Sequence, residues 1–257
     1  MKSLKFISAV VSLSIIFSLG GCEDKMPRVG SEQYNQLHGI LNDGNTVNEI
    51  TLFSEQSKFQ PKLRFPPTVR VAATTWESGD GQSAKIRKGF ANEVVTSLWL
   101  SEQGRLLFEK VDASSDGPRR VSFAFIAGVD PNFKNSQKQR LKDIVARSVR
   151  TTDLPELGLK EYVVLEPKSS AIATVAYVPL RKEDLSLFGD AQWISCEVAA
   201  STKDLNEPLI GRVDSCATSF HSLETLTFTA SFERTVLSSW RDLVDESNSF
   251  ANSILMK

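Results

Sequence analysis

Histidine is almost missing from this chain. There are two in 257 residues, alongside three cysteines, three methionines and three tyrosines. Neither His38 nor His221 has a second histidine or a cysteine at ligand spacing, so the sequence predicts no metal site. A Ser/His/Asp set would have to use His221 with Ser219 or Ser222, and no G-x-S-x-G elbow supports one. A nucleotide loop is lacking as well. Gly79-Asp80-Gly81 has neither the lysine of a P-loop nor the G-x-G-x-x-G spacing, and reads as a turn with Asp80 or Ser83 as a helix cap. Charge of one sign is also lacking. The 30 Lys+Arg balance 31 Asp+Glu to a net −1, without the basic excess of a nucleic-acid-binding protein. These absences predict no catalytic residues, no cofactor and no nucleic-acid partner.

Long apolar runs are equally scarce. The longest, Phe6 to Leu19, follows Lys2 and Lys5 and is shorter than the ~20 residues a membrane span needs. A short basic start and a short apolar core describe a secretory leader. The run closes on Leu19-Gly20-Gly21-Cys22, which resembles the lipobox of bacterial lipoproteins. The resemblance implies cleavage before Cys22, acylation of its thiol and anchorage on the lipid bilayer without a spanning segment. Glu23, rather than Asp, follows Cys22. By the family's sorting rule this implies the outer membrane, with the folded part facing the periplasm. Losing residues 1–21 removes Lys2 and Lys5 and no acid, which moves the net charge to −3. Two cysteines then remain, Cys196 and Cys216, and an even pair in an oxidising compartment predicts one disulfide.

The mature chain divides by pattern. Residues 22–65 are polar, carry Pro27, Gly30, Gly44 and Pro61, end at Pro66-Pro67, and read as a tether. Residues 66–168 suggest β-α-β-β-α-β. Val69 to Trp76 reads as a strand. A helix over Ser83 to Ser101 is expected from Ile86, Phe90, Val94 and Leu98. Strands follow at Leu106–Val111 and Val121–Val129, then a helix at Ser136–Val149 and a strand at Tyr162–Leu165. That order is a ferredoxin-like antiparallel sheet with two helices, an α+β fold. Its opening, Val69-Arg70-Val71-Ala72-Ala73 through Leu106 to Val111, resembles the strand–helix–strand start of periplasmic assembly lipoproteins. Residues 169–257 read as a smaller antiparallel sheet with strands near 172–179, 192–199, 209–216 and 223–232, stapled by the disulfide and covered by a helix over Thr235 to Leu255.

One stretch breaks the charge balance. Lys134, Lys138, Arg140, Lys142, Arg147 and Arg150 face only Asp143, a local +5. Such a helix either contacts an anionic surface or is a solvated outer face. The expectation that follows is a non-catalytic, lipid-anchored envelope protein that binds another protein in an assembly, accessory or immunity role. The alternatives are an enzyme acting on peptidoglycan or glycolipid through carboxylates the sequence does not place, and a structural link between outer membrane and cell wall.

Overall fold

A computed structural model describes residues 26–55, 57–75, 86–108, 119–128, 132–166, 169–181, 192–199, 215–222 and 225–256. The leader, Cys22 and Gly79-Asp80-Gly81 lie outside these residues, as do the side chains of Lys134 and His221.

Strands of alternating burial dominate. Short strands β1 (Asn48–Leu52) and β2 (Lys62–Phe65) pair antiparallel, and β4 (Phe90–Ala91) joins β1 in parallel. The other strands make one ten-stranded sheet. They are β3 (Val71–Thr74), β5 (Glu93–Leu100), β6 (Leu106–Leu107), β7 (Arg119–Ala127), β8 (Arg150–Leu154), β9 (Leu159–Glu166), β10 (Ser169–Pro179), β11 (Ile194–Ala199), β12 (Ser215–Ser222) and β13 (Leu226–Glu233). Their order is β3-β5-β7-β13-β12-β11-β10-β9-β8, with β6 beside β5, and neighbours run antiparallel.

The α+β class holds, but the sheet is not ferredoxin-like. The first expected helix is the cause. Ile86, Phe90, Val94 and Leu98 recur every fourth residue, which suits one face of a helix and equally one face of a strand. Val94, Val95 and Thr96 favour the pleat, and β5 buries Val94, Thr96, Leu98 and Leu100 in strict alternation. The sequence division at residue 168 also dissolves. β13 lies between β7 and β12, with Phe228 opposite both Phe125 and Phe220, so both halves share one sheet.

The segment read as a tether is folded from its early residues. Helix α1 (Glu32–Leu37) is capped by Ser31 and carries buried Tyr34, while Ile50, Leu52, Leu63 and Phe65 alternate inward from β1 and β2. Those period-two pairs lie in strands too short to stand out among polar neighbours. Together with helix α3 (Trp240–Ile254), they cover one face of the large sheet. There Phe125 meets Phe65 of β2 at 6.0 Å, Phe228 of β13 at 5.4 Å and Phe250 of α3 at 5.9 Å between ring centres. Helix α2 (Asn132–Arg147) packs on the opposite face, where Leu141 and Ile144 meet Val164, Ala176, Tyr162 and Trp193.

The two edges of the sheet differ. At β3 the side chain of Asn42 substitutes for a neighbouring strand, donating to the Val71 carbonyl at 2.9 Å and accepting from the Val71 N–H at 3.0 Å. Asn35 accepts from the Ala73 N–H at 3.1 Å. Amide side chains thus occupy backbone groups that would otherwise invite another strand. At the other edge, among the described residues β8 pairs only with β9, and Thr151 and Asp153 are exposed.

Cys196 and Cys216 face each other across β11 and β12 and form a disulfide, both buried on the core face. Replacing both by alanine is expected to lower stability by about 3 kcal/mol through the freed loop between them. The check is a urea midpoint against the parent protein, with reductant lowering the parent towards the variant.

Candidate functional site

His38, expected in a tether, is fully buried. Its Nδ1 donates to the Phe90 carbonyl at 2.7 Å, which leaves Nε2 as the acceptor facing the Thr75 hydroxyl at 3.4 Å. The Tyr34 ring lies 5.1 Å from the imidazole. Burial lowers the His38 pKa, and the Phe90 carbonyl opposes this in part. The imidazole is therefore a clasp between the N-terminal segment and β4. The unfolded chain takes up a proton before the folded one as pH falls, so stability should decline below about pH 6.5. Urea midpoints between about pH 5 and 7.5 should show this slope, and His38→Asn should flatten it.

A second polar group lies inside the core. Glu161 sits on the inward parity of β9, between Leu159 and Val163, and is fully buried. Arg150, which opens β8, forms an ion pair with its Oε1, and the Tyr177 hydroxyl donates to Oε2 at 3.2 Å. The Tyr177 phenol is held far above its ordinary pKa, first by burial and then by the Glu161 charge, while Arg234 and Arg150 pull the other way. Arg234 is fully buried as well. Separately, the Trp240 indole N–H donates to the Leu157 carbonyl at 2.9 Å and Arg241 to the same oxygen at 3.3 Å. These two bonds pin the start of α3 to the turn between β8 and β9. Arg150 therefore does not belong to the basic face proposed from sequence, because its charge is spent inward. The sequence held one sign of this: an acid on the apolar parity Leu159-Glu161-Val163.

Glu93 is half-buried and burial raises its pKa, but its in-register neighbours are Thr74 and Ile126. Among the described residues no three His, Cys, Asp or Glu side chains converge as metal ligands. A shallow hollow of about 110 Å³ beside α1, lined by Glu32, Gln36, Leu41 and Asp43 among others, has room for a few waters only.

The outer face of α2 concentrates charge that the core does not use. Lys138, Arg140, Lys142 and Arg147 are exposed there with Asp143, which accepts from Gln139 at 2.8 Å. The Arg140 guanidinium lies 5.9 Å from the centre of the Trp193 ring. Among the described residues, Lys142 and Arg147 make no ion pair. Val145 and Val149 stand in the same surface, 43% and 59% exposed. A helix with this outer face can bind an anionic surface that also offers apolar contact.

No protein-family model matches the chain, and no curated protein matches it. Among solved structures, the chain has a likeness to an immunity protein of the Stenotrophomonas maltophilia type IV secretion system. The two are 10% identical with a TM-score of 0.39, over 82% of this chain and 95% of that one. A likeness of this size assigns neither a family nor an activity.

Proposed function

We propose that the chain is a lipid-anchored envelope protein, held by acylated Cys22 on the periplasmic side of the outer membrane, that works by binding another envelope protein rather than by catalysis. The observation that carries this reading is the sequence Leu19-Gly20-Gly21-Cys22 at the end of a short apolar leader, only ten residues before the first helix. An internal disulfide fits an oxidising compartment. The non-catalytic part is supported by how the polar side chains are used. Glu161, Arg150 and Tyr177 hold core elements together, and His38 clasps the N-terminal segment.

Cys22→Ser tests the anchor. The parent protein should fractionate with membranes and carry an acylated N-terminal cysteine by mass spectrometry, and the variant should be released by osmotic shock. A parent protein that begins elsewhere and leaves with the periplasmic fraction would overturn the reading. Cross-linking in intact cells tests the partner. A specific protein adduct is expected in the parent, and none above the Cys22→Ser background would count against binding.

A further inference from the structure

The N-terminal segment is held to the large sheet mainly by side chains. Along β3 and the residue after it, the N–H groups of alternate residues each meet one of them. Val71 donates to the Asn42 amide oxygen at 3.0 Å, Ala73 to that of Asn35 at 3.1 Å, and Thr75 to the Tyr34 hydroxyl at 3.4 Å. Asn42 also donates back to the Val71 carbonyl at 2.9 Å. Residues 34–42 thus stand in for a neighbouring strand without forming one.

Little else secures them. Among the described residues, one bond between backbones joins residues 26–42 to the rest of the chain, from the Gly89 N–H to the His38 carbonyl at 2.6 Å. The buried apolar side chains of the segment are Tyr34 and Ile40. It ends at the turn Asp43–Thr46, where the Asp43 carboxylate accepts from the N–H groups of Asn45 and Thr46 and Gly44 takes a φ of +79°. A unit attached in this way opens at lower free energy than the core.

His38 is the pin. It supplies the one backbone bond, and its ring reaches both the Phe90 carbonyl and the Thr75 hydroxyl, with the Tyr34 ring beside it. The charged groups on the described elements around it are Glu32 on the outer side of α1, exposed Arg87 and Lys88 before β4, and Glu93 at the start of β5. None of them is bonded to the imidazole. Among the described residues, a second proton on this ring would therefore enter an enclosed site with no carboxylate partner.

We infer that residues 26–42 are an acid-released latch: when His38 takes up a proton, the segment lets go as a unit and bares the N–H groups of Val71, Ala73 and Thr75. Neutral solution keeps this border filled, and acid leaves it able to pair with a strand. The latch depends neither on the anchor nor on the partner proposed above. Burial holds the folded His38 below the unfolded value of about 6.5, so the opened form binds the proton first and opening gains as pH falls through that value.

Hydrogen exchange of the full chain, resolved to single amides by mass spectrometry, is the test. Comparing protection factors removes the intrinsic pH dependence of exchange. Val71, Ala73 and Thr75 should be protected at least about tenfold less than Phe125 and Phe228, and their exchange should respond less to dilute urea. From about pH 7.5 to about pH 5.5 their protection should fall about three- to tenfold, and His38→Asn should lose most of that fall. Equal protection of the two sets of amides would mean that the segment leaves only when the whole fold does, and would overturn the latch. So would no fall in the parent protein, or an equal fall in His38→Asn. The parent also carries a check that needs no variant. The His38 ring-proton resonance should titrate below about pH 6.5, and titration at or above that value would mean that the proton holds the segment in place, which also overturns the latch.

Discussion

Glu161→Ala is expected to destabilise the protein by about 3–5 kcal/mol, because it removes the anion from a buried group that contains two arginines. Arg150 would lose its ion-pair partner and Tyr177 its acceptor at a carboxylate site that is fully buried. That loss is a large share of the ~5–15 kcal/mol that usually holds a domain together. Glu161→Gln keeps an acceptor for the Tyr177 hydroxyl and should cost less than the alanine variant. The order of the three urea midpoints is the check. If alanine were no worse than glutamine, charge compensation would not be the function of this carboxylate. Native-state hydrogen exchange should show the loss first in β8 and β9, which the Arg150–Glu161 ion pair joins.

Phe125→Ala should cost about as much, 3–5 kcal/mol, for an unrelated reason. Its ring meets rings from β2, β13 and α3, so truncation opens a cavity where three parts of the chain converge. The rigid sheet beneath cannot collapse into the gap. Phe108 is the comparison. It also meets Phe250, at 5.7 Å, but is 40% exposed, and Phe108→Ala should cost about 1 kcal/mol or less. Equal losses would place the centre of the core somewhere other than beneath α3.

The parts of this fold that could be read from sequence are those in which one periodicity has no rival. β7 and β13 alternate phenylalanine with small or hydroxyl residues and lie where expected. In α3, Trp240, Leu243, Phe250 and Ile254 recur at helical steps and are buried. The stripe through Phe90, Val94 and Leu98 failed because a spacing of four satisfies helix and strand alike, and the β-branched residues between them should have decided it. β1 and β2 escaped because two inward apolar residues apiece leave too little pattern. That β13 would pair with β7, nearly a hundred residues earlier, is a long-range choice no local pattern encodes. For the candidate site, the exposed cations of α2 were legible as a charge imbalance. The inward turn of Arg150 was not, since it depends on Glu161 across a strand pair.

The asparagines along β3 limit how copies of this protein can join. An open fibre needs two receptive borders on every unit, one to accept and one to offer. With amides filling one border of the large sheet, its growth by backbone pairing among the described residues is left to the β8 side, and two molecules meeting there would leave no vacancy in that sheet for a third. At high local concentration, such molecules can couple in twos without becoming filaments.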